Sequence, residues 1–128
     1  MFERYTDDAR KVIFLARYEV SRLGSSSLQP EHLWLALLRE SKKLMKSHAP
    51  QITLAHIESR LQPTPQSERI SLTVDLPLSA ETLRALTTAT AEADRLGQRY
   101  ISPEFLIRAL LLEESRAAET CTAEPHTP

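Results

Sequence analysis

An internal repeat is the feature of this sequence that most constrains its fold. The segment EVSRLG at 19–24 recurs 73 positions later as EADRLG at 92–97, and the only two glycines of the chain end the two copies. With the same offset and no gap, PEHLWLALL at 30–38 aligns with PEFLIRALL at 103–111. A register shared by both segments indicates that one structural unit has been duplicated.

Each copy is predicted to be a pair of helices. Thr6 and Ser79 suit the position before a helix, since a hydroxyl oxygen accepts a hydrogen bond from an otherwise unpaired backbone N–H. Gly24 and Gly97 are expected to end these first helices in the left-handed conformation. A proline then opens the second helix of each pair, where its missing N–H costs nothing.

Apolar residues at helical spacing mark the predicted core. They are Ala9, Val12, Ile13, Ala16, Val20 and Leu23, then Leu83, Leu86, Ala89, Ala93 and Leu96 in the first helices, and Leu33, Trp34, Leu37 and Leu38, then Leu106, Ile107, Leu110 and Leu111 in the second. The second helices are apolar over a wide arc, so we expect them at the centre. Trp34 is predicted to pack in this core, the alternative being an exposed interface anchor.

The remaining segments complete an all-α domain of two helical repeats, with about four helices in the first and a truncated second. Short helices are predicted at 41–47 and 53–61, with an extended connector at 70–74 and one short helix after Glu113. The boundaries are repeat one at 1–61, linker at 62–77, repeat two at 78–119 and a disordered tail at 120–128.

Composition narrows the class of protein. The sequence has 128 residues, 41% of them hydrophobic and 26% charged, which is ordinary for one globular domain. A net charge of −1 disfavours a nucleic-acid partner, and no apolar run approaches the roughly 20 residues that span a membrane. Cys121 is the only cysteine, so no internal disulfide forms and a reducing cytoplasm is the simplest location.

We find no pattern typical of an enzyme, a metal site or a cofactor site. The four histidines, at 32, 48, 56 and 126, lack metal-ligand spacing. Cys121 and His126 lie in the predicted tail, where nothing would orient a nucleophile and its base. The chain is therefore expected to be non-catalytic.

The residues resemble those of a known family. The opening MFERYT with Ala9 and Val12, and the pattern of Leu-Gly followed by a glutamate that opens a Leu-rich helix in both copies, resemble the N-terminal Clp repeat (Clp R) domain of Clp-type AAA+ unfoldases. The resemblance covers roughly residues 1–113. It implies two helical repeats related by a pseudo-two-fold axis, carried on an ATP-driven unfolding ring, that recruit substrates and adaptor proteins. In Clp homologues of Gram-positive type, such domains also recognise phosphorylated arginine.

The sequence departs from the family pattern in several ways. Phe105 replaces the histidine of the second motif, and a proline precedes the glutamate in both copies. No phosphate-binding loop of an ATPase is found, so we expect a free-standing relative, with a fragment of a Clp ATPase as the alternative. The early end of the second repeat predicts an apolar groove that a second copy could fill, giving a homodimer.

Glu31 and Glu104 are the candidate binding residues, with Thr6 and Ser79. The resemblance places a phosphoarginine-like ligand around such a glutamate and the start of the first helix. The glutamates would hold the guanidinium through charge-assisted hydrogen bonds, and the helix starts would offer N–H groups to the phosphate. The alternative is that both glutamates only complement the helix dipoles, stabilising each helix by ~0.3–1 kcal/mol.

Two function hypotheses follow. The first is a protein-binding module of the Clp chaperone/protease system that recruits or modulates substrates or adaptors. The second is a structural or assembly subunit of a Clp protease complex, in which the glutamates have no binding role. Lys42, Lys43 and Lys46 are predicted to form a solvated helix face, the alternative being a docking site for an acidic partner or nucleic acid.

Overall fold

The computed structural model describes residues 2–61 and 77–123. Within these ranges the chain forms six helices: α1 (Asp7–Leu23), α2 (Pro30–Glu40), α3 (Lys42–His48), α4 (Leu54–Arg60), α5 (Ala80–Arg95) and α6 (Pro103–Ala123). Extended pairing in the described residues is limited to two isolated bridges. The prediction of an all-α fold is confirmed. None of the helices in the described part of the chain is both long and apolar enough to span a membrane.

The predicted ends of the first helices are confirmed. The Thr6 hydroxyl accepts a hydrogen bond from the Ala9 backbone N–H at 3.2 Å, and Ser79 does the same for Thr82 at 3.1 Å. At the other end, Gly24 and Gly97 adopt φ angles of 70° and 71°. At such a φ the Cβ of another residue would lie too close to its own carbonyl oxygen, and glycine avoids this clash because it has no Cβ.

The α2 helix occupies the centre of the domain, as predicted. It contacts α1, α3, α4, α5 and α6, and every residue from 32 to 37 is buried. Trp34 has no exposed surface, which settles its position in the core. The equivalent helix α6 contacts α1, α2, α3 and α5, so the two second helices form the interior on which the others pack.

Two short parallel bridges join the repeats. Tyr5 pairs with Ile101, and Leu78 pairs with Leu28. The 73-residue offset converts the first bridge into the second, because Tyr5 corresponds to Leu78 and Leu28 to Ile101. The first helix of each repeat therefore starts beside the second helix of the other repeat, as pseudo-two-fold symmetry requires.

The buried face of α5 differs from the predicted stripe. Leu83 and Leu96 are 47% and 45% exposed, whereas Thr82 is fully buried. Thr82 is tolerated there because its hydroxyl donates a hydrogen bond to the Leu28 carbonyl at 2.9 Å. The buried face of α5 is therefore the one that contacts Leu28 of the first repeat. The spacing of apolar residues along α5 alone does not predict this contact.

The last helix is longer than predicted. We expected a separate short helix after Glu113 and a disordered tail from Thr120, but α6 runs unbroken to Ala123. Residues 113–123 contain neither proline nor glycine, so nothing in the sequence interrupts the helix. The predicted linker, except Pro77, and residues 124–128 lie outside the described residues, as does the connector at 70–74.

Replacing Gly97 by alanine should destabilise the domain by about 1 kcal/mol, because an L-residue at φ 71° is strained. Beyond the residue itself and its two chain neighbours, no atom lies within 4 Å of the position that the new Cβ would take, so the cost comes from the local backbone conformation and not from packing. The free energy of unfolding in urea measures the effect. Gly97→Asn is the control and should cost less, since asparagine tolerates this conformation; equal losses for both variants would contradict the explanation.

Candidate functional site

The structure arranges the four predicted site residues as two pairs that each join the repeats. The Thr6 backbone N–H donates to the Ile101 carbonyl at 3.0 Å, which places the start of α1 beside the start of α6 and Glu104. The Ser79 N–H donates to the Leu28 carbonyl at 3.0 Å, which places the start of α5 beside Glu31. Thr6 is thus grouped with Glu104, and Ser79 with Glu31.

A concave pocket lies at each of these junctions. The first, called here the Glu31 pocket, has a volume of about 480 Å³ and is lined by Gln29, Pro30, Glu31, Arg60, Glu81, Arg84, Glu113, Glu114, Arg116 and Ala117. The second pocket is called the Glu104 pocket because Pro103, the residue before Glu104, lines it. Its volume is about 530 Å³. It is lined by Asp8, Lys11, Glu40, Ser41, Lys42, Lys43, Leu44, Ser102 and Pro103.

The two pockets are copies of one site. The 73-residue offset matches Ser102 with Gln29, Pro103 with Pro30, Asp8 with Glu81, Lys11 with Arg84, Glu40 with Glu113, Ser41 with Glu114 and Lys43 with Arg116. The duplication therefore reproduced a surface feature as well as the core.

An ion pair recurs in both pockets. The Lys11 ammonium lies 3.2 Å from a Glu40 carboxylate oxygen, and the Arg84 guanidinium donates to both oxygens of Glu113 at 3.1 and 3.2 Å. Each pair links the first and second helices of the same repeat, α1 to α2 and α5 to α6. Glu40 and Glu113 are not among the residues predicted from the sequence, although the offset that aligns Lys11 with Arg84 aligns them too.

The Glu31 carboxylate is held by an arginine of its own chain. Arg60, the last residue of α4, donates through Nη2 to Glu31 Oε2 at 2.7 Å. The same guanidinium spans both oxygens of Glu114, at 2.8 and 3.1 Å, in the bidentate geometry typical of strong arginine–carboxylate pairs. Trp34 joins the cluster, since its indole N–H donates to Glu114 Oε2 at 3.2 Å.

These contacts shift the ionisation of the cluster. The hydrogen bond with Glu114 raises the pKa of the Arg60 guanidinium, and the bond with Glu31 adds to it against the effect of burial. Burial raises the pKa of the Glu114 carboxyl. The hydrogen bond and charge of Arg60, with the hydrogen bond from Trp34, outweigh burial and hold that pKa below its usual value. Arg60 and Glu114 are therefore both charged at neutral pH.

Glu104 has different surroundings. Its side chain is 44% exposed, against 16% for Glu31. His48 lies next to it, with Nε2 at 3.6 Å from Glu104 Oε2. Lys42 and Lys43 are exposed at the nearby wall of the pocket, and Lys46 is exposed as well, as predicted for a solvated face. Carboxylate and ammonium groups together suit a ligand that carries both charges.

His32 is a structural residue. It is fully buried, its Nδ1 accepts a hydrogen bond from the Gln29 backbone N–H at 2.9 Å, and its Nε2 lies 3.2 Å from the Ser25 hydroxyl. Burial lowers the pKa of its imidazole, which favours the neutral ring. Phe105 fills the equivalent position and is 8% exposed. Among the residues that the structure describes, no group of three His, Cys, Asp or Glu side chains could hold a metal ion.

The duplicated helix pairs, their crossed starts and the paired pockets can be compared with known proteins. The profile of the Clp repeat (R) N-terminal domain family matches residues 4–123. The chain belongs to this family. It is 33% identical over 134 residues to the chaperone protein ClpC1, chloroplastic, of Oryza sativa subsp. japonica, a match that covers 98% of this chain and 14% of the rice protein.

Further relatives agree. The chaperone protein ClpC1, chloroplastic, of Arabidopsis thaliana is 33% identical over 133 residues and is also matched over 14% of its length. This chain thus spans about one seventh of the length of these relatives. The crystal structure of the N-terminal domain of ClpD from Arabidopsis thaliana superposes with a TM-score of 0.71 at 25% identity, covering 93% of this chain and 82% of that one.

A more distant structure shares the fold. The Hsp104 N-terminal domain from Candida albicans superposes with a TM-score of 0.72 at 21% identity, over 94% of this chain and 82% of that one. The resemblance stated from the sequence is confirmed for family and fold.

Replacing Glu114 by glutamine should make the Clp repeat domain less stable at pH 6, by about 1–3 kcal/mol, because a charge-assisted hydrogen bond is weakened. The stability that wild-type Glu114 contributes is present above the usual carboxyl pKa of 4.5 and is lost as pH falls through its lowered value. The difference between variant and wild type should therefore shrink by pH 3.

Urea unfolding at both pH values, followed by the fluorescence of Trp34, measures this difference. Glu58→Gln is the matched control, since Glu58 is exposed on the same helix as Arg60. A difference that stays constant from pH 6 to pH 3 would contradict the assignment.

Proposed function

We propose that this domain is a non-catalytic protein-binding module of the Clp chaperone/protease system. Membership of the family and the two duplicated pockets support this proposal. Its partners would be a Clp-type AAA+ unfoldase, the adaptors of that unfoldase, or its client proteins, in a reducing compartment such as the cytoplasm. A duplicated pocket in which ion pairs surround a helix start suits recognition of a charged side chain.

The ligand that best fits this chemistry is phosphoarginine on a client protein. A guanidinium group would pair with the exposed Glu104 carboxylate through charge-assisted hydrogen bonds. The phosphate would lie near the start of α1 at Thr6, where the helix dipole favours an anion, with Lys42 and Lys43 at the wall of the pocket. The observation that carries this proposal is the combination of opposite charges at one helix junction.

Isotope-labelled protein titrated with free phosphoarginine should show saturable NMR shifts at Thr6 and Glu104. The Glu31→Ala/Glu104→Ala double variant should lose these shifts, because it lacks the carboxylate at the start of each second helix that would hold the guanidinium. Glu58→Ala, a carboxylate away from both pockets, is the control and should behave as wild type. Arginine and inorganic phosphate, tested separately, should bind more weakly, since each satisfies only half of the site. Absence of shifts at millimolar phosphoarginine would reject the ligand and leave both glutamates as helix-end charges.

One observation favours the second hypothesis, a structural subunit that docks on a Clp ring. Phe14 and Tyr18 lie one turn apart on α1 and are 55% and 46% exposed. Aromatic side chains are enriched where protein interfaces form. The homodimer expected from the sequence stays a prediction.

The two hypotheses separate in a co-purification experiment with a Clp-type unfoldase. If the outer face of α1 docks on the ring, Phe14→Ser/Tyr18→Ser should abolish co-purification, because it removes both exposed rings. Glu31→Ala/Glu104→Ala should then leave it unchanged. The opposite pattern would favour recognition through the pockets.

A further inference from the structure

Arg60 occupies its pocket in the way that an arginine ligand would. Its guanidinium bonds Glu31 at 2.7 Å and both oxygens of Glu114 at 2.8 and 3.1 Å. The side chains of Arg60, Glu31 and Glu114 are 29%, 16% and 28% exposed. An incoming guanidinium that needs Glu31 would therefore have to displace one already placed there.

The second carboxylate in this cluster has no counterpart in the other pocket. The offset matches Glu114 with Ser41, which carries no charge. It also matches Trp34 with Ile107, which has no N–H to orient a carboxylate. The carboxylate and indole that hold Arg60 therefore have no equivalent in the second repeat, and Glu104, which is 44% exposed, lies 3.6 Å from His48.

The charge around the two pockets differs in the same direction. Four carboxylates, Glu31 among them, and three guanidinium groups line the Glu31 pocket, whereas Glu104 and the lining of its pocket together provide three carboxylates and three ammonium groups. The lining of the first pocket is therefore net negative and that of the second, with Glu104, is neutral, so that a ligand with a phosphate is favoured more at Glu104 than at Glu31.

We propose that Arg60 is a built-in occupant of the Glu31 pocket, so that the domain offers one open site for a phosphorylated guanidinium, at Glu104, and a second that opens only when Arg60 leaves. This inference rests on the proposed ligand class. It makes Arg60 the residue that sets how many ligands the domain binds. Release of Arg60, by a partner or by substitution, would convert a one-site domain into a two-site domain.

Calorimetric titration with free phosphoarginine tests the inference, with the NMR shifts of Ser79 and Thr6 reporting which pocket fills. Wild type should bind one equivalent, with shifts at Thr6. Arg60→Gln should bind two, with new shifts at Ser79. In the Arg60→Gln background, Glu104→Ala should leave one equivalent at Ser79, and Glu31→Ala should leave one at Thr6.

Two further variants secure the result. Arg95→Gln removes a guanidinium from the Glu92 ion pair outside both pockets and should still bind one equivalent. If Arg60→Gln fails to fold, Glu114→Gln serves instead: it weakens the hold on Arg60, keeps an amide oxygen for Trp34, and should also yield a second equivalent.

The outcomes separate this inference from the proposed function. Two equivalents in wild type, or one in both wild type and Arg60→Gln, would overturn the inference and leave the proposed function standing. No binding to wild type, but one equivalent at Ser79 in Arg60→Gln, would overturn the inference as stated, because Glu104 would not be an open site, and would leave the proposed ligand class standing. No binding to any variant would overturn both.

Discussion

The crossed docking of helix starts is the constraint on which the rest of the structure depends. The Thr6 N–H donates to the Ile101 carbonyl, and the Ser79 N–H donates to the Leu28 carbonyl, each at 3.0 Å. These bonds pair the backbone N–H and C=O groups of short extended segments next to the core, where an unpaired N–H would cost free energy. They also join each repeat to the other, so that neither second helix packs only within its own repeat. Both pockets lie at these joints because the joints bring a first and a second helix start together.

A buried charge adds a second tie within the first repeat. Glu19 of α1 is 2% exposed, and Arg22 and Arg39 hold its carboxylate. Arg39 belongs to α2, so the pair fixes α1 against the central helix. The equivalent Glu92 pairs with Arg95, one turn along α5, and Arg108 of α6 lies 3.7 Å from the same carboxylate. A buried carboxylate without a partner would be an uncompensated charge. The two arginines therefore explain how Glu19 is accommodated in a face of alanine and valine.

The asymmetry of the pockets shows how a duplicated fold acquires two different sites. The backbone, the two prolines and the ion pairs Lys11–Glu40 and Arg84–Glu113 repeat. The difference arises at Arg60, the last residue of α4, and at Glu114, which lies on α6. Core positions diverge as well, since buried Trp34 and His32 correspond to Ile107 and Phe105. The helix starts that form the two pockets repeat, whereas the residues beside them differ.

The sequence by itself determined the all-α class, the duplicated helix pairs, their caps at Thr6 and Ser79, and the glycines that end them. These features depend on local hydrogen bonding and spacing, which a repeat shows twice. It also indicated Glu31 and Glu104 as candidates, through a resemblance and their equivalent positions.

Only the tertiary structure decided that Thr6 is grouped with Glu104 and Ser79 with Glu31, because that pairing depends on bonds between residues more than 50 positions apart. It likewise decided that Arg60, 29 positions from Glu31 and 54 from Glu114, joins them in one cluster. No periodicity links such residues. Their contact follows from how α4 and α6 pack beside α2, which is a property of the assembled core.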